Sequence, residues 1–364
     1  MVKPNPSLAQ ILDNWVSRKT PTASEWQHLV AEELAAPQRA RAFGITGANV
    51  EEILEERSHL FQSVYPIVLS LPPFNWRADE TSQSKILLSL WTLWLPLAMQ
   101  LVSFRQQLGR PLIQGILGGQ GTGKTTLAAV LSAILTHLGY RPLSLSLDDL
   151  YKTYAERQLL QQQDSRLIWR GPPGTHDVEL GLLVLDQLRQ PNLPHPILVP
   201  RFDKSAWGGA GDRTTPERVE GVDIVLFEGW FVGVRPIDPA VFDAPIPAPI
   251  ETASDRAFAR DMNERLKDYL PLWERLDRLM VLYPSDYRLS QQWRRQAEQQ
   301  MMATGKSGMA DSQIEEFVKY FWTSLHPELF ISPLTKNLNW VDLVLEINPD
   351  HSVGLIYRPC DVES

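Results

Sequence analysis

The chain has 364 residues, enough for two domains or for one large domain with an appendage. Its 43% hydrophobic and 21% charged content suits a globular protein that buries a sizeable core. A net charge of −8 excludes the basic surface that a nucleic-acid partner needs, while a single cysteine, Cys360, excludes an internal disulfide and fits a reducing, cytoplasmic compartment.

The opening stretch "MVKPNPSLAQILDNW" has no basic start followed by an apolar run, so no signal peptide is expected. Residues 1 to about 108 read as helices. Ser24 with Gln27 looks like a capping box ahead of "EWQHLVAEELAA". Further on, Ile53, Leu54, Leu60 and Phe61 fall at helical spacing, with glutamates opposite. No catalytic constellation shows here, and a helical cover on the main domain is expected. From Ile86 to Phe104 run 19 uncharged residues, long enough to span a bilayer. Ser89, Thr92, Pro96, Gln100 and Ser103 interrupt the run, and it leads directly into a soluble fold. A buried helix is expected, with no membrane partner.

From residue 111 the texture changes to alternating strand and helix. "PLIQGIL", "RPLSLSL", "VDIVLFEG", "LDRLMVLYP" and "WVDLVLEI" are near-continuous apolar runs with helical segments between them. They predict an α/β domain over 109–364, of the P-loop NTPase type: a parallel sheet with helices on both faces, beside the N-terminal helical region. Ligands of such sheets collect at the carboxyl ends of the strands. Two stretches look irregular: the glycine-rich loop "RFDKSAWGGAGDR" (201–213) and a proline-rich surface excursion (234–254).

"GGQGTGKTT" spans Gly118, Gly119, Gln120, Gly121, Thr122, Gly123, Lys124, Thr125 and Thr126, with a strand before it and a helix after it. That pattern cradles phosphates in backbone N–H groups; Lys124 neutralises the β- and γ-phosphates and the Thr125 hydroxyl is placed for Mg²⁺. Gly305-Lys306-Ser307 is a decoy, since Gln300 stands where the first glycine should be. Glu228, at the end of "IVLFEG", sits where a second metal-holding acid is expected. Asp148 and Asp149 end the second strand. A phosphoryl transfer to a hydroxyl needs a base there, and Asp148, the first polar residue off the strand, is the candidate.

"YRLSQQWRRQAEQQMM" predicts a helix in a lid over about 286–310, with Leu289, Trp293, Ala297 and Met301 as its apolar face. Its arginines Arg288, Arg294 and Arg295 suit the charge of a transferring phosphoryl group as well as they suit a solvated face. Trp207 and Trp230 are read as packing residues.

Together, the phosphate loop, "SLDDLY", "RGPPGTHD", "PRFDKSAWGGAGDR", "LFEGW" and the arginine-bearing lid resemble the uridine kinase, phosphoribulokinase and pantothenate kinase superfamily. "GPPGTHD", "ERLKDYLPLW" and the lid resemble most the D-glycerate 3-kinase family of plants and cyanobacteria, over about residues 85–350. The resemblance implies ATP and Mg²⁺ as cofactors and transfer of the γ-phosphate to D-glycerate in photorespiratory-type metabolism. It also implies Asp148 as base with Lys124, Arg294 and Arg295 in catalysis, and Thr125 and Glu228 at the metal. Asp149, Tyr151, His176, Asp177, Arg201 and Arg213 would lie around the acceptor. A glycerate carboxylate needs a cation, and Arg201, Lys204 and Arg213 stand unranked for it, with Arg170 a weaker fourth. Leu150 in "DDLY" departs from the aromatic-rich family pattern, changing packing rather than charge. Another hydroxyl acceptor, such as a nucleoside or pantothenate, is the second reading. A nucleotide-dependent regulatory ATPase is the third; "TKNLNW" fails the guanine-specificity motif, which disfavours a GTPase. Oligomeric state is open.

Overall fold

The computed structural model describes residues 6–17, 19–72, 74, 80–191, 193–303 and 310–359. The decoy Gly305-Lys306-Ser307 and Cys360 lie outside them.

Six helices come first: α1 (Leu8–Val16), α2 (Ala23–Leu34), α3 (Pro37–Ala42), α4 (Val50–Ser70), α5 (Glu80–Ser89) and α6 (Leu95–Leu108). The cap of α2 sits two residues earlier than expected. Thr22 accepts from the backbone of Glu25, whose carboxylate reaches back to the Thr22 N–H, so the reciprocal pair starts at Thr22 rather than Ser24. A one-turn π-helix, Leu90–Trp94, joins α5 to α6. Its irregular ladder leaves the Trp91 carbonyl for the guanidinium of Arg57, which also holds Glu33 at 2.8 Å. Arg57 and Glu33 are both fully buried, a pairing whose loss costs about 3–5 kcal/mol. The helical run 82–108 is long and apolar enough to cross a membrane, and Leu90, Trp91, Leu93, Leu97 and Leu101 along it are packed inside the molecule.

The strands are β1 (Leu112–Gly118), β2 (Pro142–Ser146), β3 (Ile197–Val199), β4 (Phe202–Asp203), β5 (Asp212–Arg213), β6 (Glu217–Val219), β7 (Ile224–Gly229), β8 (Arg278–Pro284), β9 (Leu343–Ile347) and β10 (Val353–Tyr357). The main sheet has the order β10-β9-β8-β1-β7-β2, parallel except for the edge strand β10. β3 pairs with β6, and β4 with β5, as small antiparallel ribbons beside it. The remaining helices are α7 (Lys124–His137), α8 (Tyr154–Gln163), α9 (Val178–Leu188), α10 (Ala253–Arg265), α11 (Leu270–Trp273), α12 (Leu289–Ala303), α13 (Asp311–Ser324) and α14 (Pro327–Phe330).

Alternate strand residues face opposite sides of the sheet. Ile116, Leu226, Leu282 and Leu345 join α7 and the N-terminal helices in one apolar cluster. Leu117, Phe227, Val281 and Val344 join α9, α10, α11 and α13 in the other. Both faces are covered, which is why these strands read as continuous apolar runs rather than as alternation. The proline-rich stretch is not a free surface excursion: Val234, Phe242 and Ile250 are buried, and Asn263 holds the Ile237 backbone in both directions.

Candidate active site

β1 stops at Gly118 and α7 starts at Lys124, so the loop between them must turn the chain within five residues. Gly121 and Gly123 adopt left-handed backbone (φ +78° and +88°), and a Cβ on Gly121 would stand 2.6 Å from that of Trp293. No side chain caps α7, which leaves the first N–H groups of the helix to an anion. The Lys124 ammonium and the Thr122 hydroxyl both donate to the Gly119 carbonyl, at 2.9 Å each. Burial pushes the Lys124 pKa down, against the opposing pull of Glu228 and Asp148. Thr125 and Thr126 follow on the first turn of α7.

Parallel pairing brings the acids to this loop. Glu228 lies level with Ile116 on β1 and with Ser146 on β2, and the Thr125 hydroxyl donates to it at 3.4 Å. A hydroxyl and a carboxylate this close are hard oxygen donors of the kind Mg²⁺ takes, with phosphates and water completing its shell. No cluster of three or more His, Cys, Asp or Glu side chains suited to a metal occurs among the described residues.

β2 ends in a tight turn, Leu147–Leu150. Ser146 accepts from the Asp148 N–H, and Asp149 reaches back to the Ser146 N–H at 3.0 Å. The reciprocal cap separates the two aspartates. Asp149 is engaged by the turn and by Arg201 at 2.9 Å. Asp148 projects instead to Lys204, whose ammonium lies 2.7 Å away. Burial would raise the Asp148 pKa, but Lys204, His176 and the Tyr151 hydroxyl together hold it below the usual carboxylate range.

Tyr151 and His176 pair across an isolated antiparallel bridge, their rings stacked 4.4 Å apart. His176 Nδ1 lies 2.8 Å from the Tyr269 hydroxyl, which accepts from the Gly174 N–H. If the hydroxyl donates its own proton to Nδ1, His176 carries its ring proton on Nε2. Burial lowers its pKa to about 3, so the ring is neutral, and Nε2 is buried without a partner among the described residues. Asp177 caps α9 and binds Arg213 at 2.8 Å; the Arg213 Nε donates to the Tyr151 carbonyl. Arg201 forks onto Glu217 and Asp149, and Arg170 donates to the Gly209 carbonyl. These arginines shape the loops around the site. Trp207 stacks on Tyr154, and Trp230 donates to the Gly171 carbonyl, so both pack.

The lid differs from expectation. α12 buries Ser290, Trp293 and Glu298, whereas Ala297 is exposed. A strict i+4 series drifts about 40° per step around a helix, so the face that stays inward shifts by one position. The side chain of Met301 lies outside the described residues. Arg294 pairs with Glu298, Arg295 with Asp311 and Glu315 on α13, and Arg288 with Asp286. Trp293, on the same helix, packs on Gly121 and stacks on His351.

A pocket opens beside Gly119 and Gln120, walled by Trp230, Tyr283, Phe321 and Trp322. Asp148, Glu228 and Lys204 are not among its walls, so it adjoins the acid-lined edge without containing it. The sequence reading left one residue of this region unranked and passed over two. Lys204 was one cation among several, Tyr269 stood in a motif without a role, and Trp293 was read only as apolar face.

No family model matches the chain. Over 226 residues it is 33% identical to the uncharacterized kinase mug58 of Schizosaccharomyces pombe, covering 58% of this chain and 79% of that one. Over 223 residues it is 34% identical to the chloroplastic D-glycerate 3-kinase of Arabidopsis thaliana, covering 58% of this chain but 46% of that protein's length. Among solved structures, D-glycerate 3-kinase from Cryptococcus neoformans matches with a TM-score of 0.67 and 28% identity, covering 73% of this chain and 99% of that one.

Proposed function

The chain belongs to the family of ATP-dependent P-loop kinases that these relatives represent, and on that premise we propose that it phosphorylates D-glycerate on its 3-hydroxyl, giving 3-phospho-D-glycerate and ADP. The observation that carries the transferase reading is the position of Asp148. A carboxylate with a depressed pKa stands beside the phosphate loop, separated from its neighbour Asp149 by the turn's own cap. The acceptor's identity rests on the relatives named for D-glycerate.

In the reaction, the loop's backbone N–H groups and Lys124 hold the β- and γ-phosphates. The acceptor hydroxyl gives its proton to Asp148 while its oxygen bonds to the γ-phosphorus, and the bond to the β-bridging oxygen breaks, releasing ADP. Thr125 and Glu228 are the residues that would hold Mg²⁺, which when bound supplies neutralisation of the phosphate charge. His176, neutral and with Nε2–H unpartnered, supplies a donor to an acceptor oxygen. A cytoplasmic location and a place in photorespiratory-type glycerate metabolism complete the proposal; the composition supports the first and the family resemblance the second.

The test is ADP release from Mg-ATP in a coupled assay with D-glycerate, L-glycerate, uridine, pantothenate and no acceptor. A D-glycerate-dependent signal is expected. Preference for uridine or pantothenate would move the acceptor to another class, and turnover indifferent to every acceptor would leave an ATPase.

A further inference from the structure

The cations near Asp148 differ in which groups they hold. Arg201 gives Nε and Nη2 to Glu217, and Nη1 to Asp149 and the Ser144 carbonyl. Arg213 gives Nε to the Tyr151 carbonyl and Nη2 to Asp177. Arg170 gives Nη1 to the Gly209 carbonyl and lies against the rings of Tyr151 and Phe202. Lys204 stands apart. Its side chain is 62% exposed, and among the described residues its ammonium makes one ion pair, with Asp148. An ammonium has three protons to donate, so two are uncommitted.

The loop that carries Lys204 is also shaped to hold it there. Asp203 accepts from the Ser205 N–H and hydroxyl, closing the turn around Lys204. Trp207 takes a left-handed backbone that its side chain disfavours (φ +52°) and is fixed there by stacking on Tyr154 and by donating to Asp212. Gly211 passes so close under the Phe202 ring that a Cβ would collide with it. The strained Trp207 lies three residues after Lys204 in this loop.

Resting on the proposed reaction, we propose that Lys204 is the group that reads the acceptor's carboxylate, and that in doing so it releases Asp148. Without an acceptor the ammonium occupies the Asp148 carboxylate and blocks water from using it as a base. An acceptor whose carboxylate lies two carbons from its attacking hydroxyl engages the spare ammonium protons. The Lys204–Asp148 contact loosens, and the hydroxyl takes the vacated Asp148 oxygen. Lys204 stays protonated throughout; the only proton that moves goes from hydroxyl to Asp148 as the oxygen–phosphorus bond forms and ADP leaves. A polyol without a carboxylate leaves the pair closed. Lys204 is therefore both the specificity-determining residue and the brake on acceptor-free turnover.

The experiment uses the full chain with Mg-ATP, comparing wild type, Lys204→Met and Lys204→Arg on D-glycerate, glycerol and no acceptor. Removing a charge-assisted contact predicts a rise in KM for D-glycerate of about 10- to 100-fold in Lys204→Met. Its preference for D-glycerate over glycerol collapses by a similar factor, acceptor-free ADP release rises, and Lys204→Arg retains part of the preference. Melting temperature and nucleotide affinity report that the exposed substitution leaves the fold intact. An unchanged preference, an equal loss on both acceptors, or flat acceptor-free release in Lys204→Met overturns the inference. A wild type inactive on D-glycerate but active on another acceptor overturns the proposed function. The inference then survives only if that acceptor carries a carboxylate and Lys204→Met loses its preference for it.

Discussion

At the sheet edge, Lys124, Asp148 and Glu228 are placed by backbone: a helix start, a capped turn and a strand register. On α12, Arg294 and Arg295 are placed by other side chains, the acids Glu298, Asp311 and Glu315. A group fixed by the main chain arrives with little rotamer freedom left to lose. Arg295, held by the exposed acids Asp311 and Glu315, is in an exchangeable contact of about 0–1 kcal/mol, whereas the Glu298 partner of Arg294 is buried. The edge groups are placed by the fold of the main chain, and the lid arginines by side-chain pairs on α12 and α13.

The largest expected effect tests the fixed half. Asp148→Asn should lower kcat by about 10²- to 10⁴-fold while nucleotide affinity, read by titration, stays near wild type. Retained turnover would remove the base from the edge. Next comes the pH profile of kcat/KM. Lys204 opposes the effect of burial on Asp148, so in Lys204→Met the pKa of the base rises. A base works only when deprotonated, and the acid limb of the profile should move to higher pH; a limb that stays put means another group titrates. Ser146→Ala should then cost about 1 kcal/mol in chemical denaturation by loosening the cap that separates Asp148 from Asp149, with a loss of kcat smaller than that of Asp148→Asn. The smallest effect is expected on the lid. Arg294→Gln and Arg295→Gln should each lower kcat less than about tenfold, because both side chains are engaged with acids on α12 and α13. A fall near 10³-fold would show that they swing onto the phosphates and erase the contrast.

The same contrast governs what the sequence discloses. The five parallel strands and the residues at their ends are legible because both faces are buried and the motif fixes the loop between strand and helix. Glu228 and Asp148 needed only their strands to be recognised. β10 was missed because an edge strand buries one end only, Ile356 and Tyr357, and the ribbons β3–β6 and β4–β5 because two or three residues carry no period. The arginines of α12 were legible as charges but not by their partners, Glu298 for Arg294 and, twenty residues away, Glu315 for Arg295. Lys204 could not be ranked, since nothing local says that Arg201 and Arg213 are already taken.

The shared core beneath the sheet has a consequence for synthesis. The helices that emerge first, α1 to α6, bury their apolar sides in part on Met280, Leu282, Leu343, Leu345 and Ile347, which are made last. Through most of translation that surface has no sheet to rest on, and a nascent chain with an uncovered apolar side is a ligand for chaperones and a risk for aggregation. A fragment that begins at β1 faces the converse problem, with one side of its sheet open where the early helices belong.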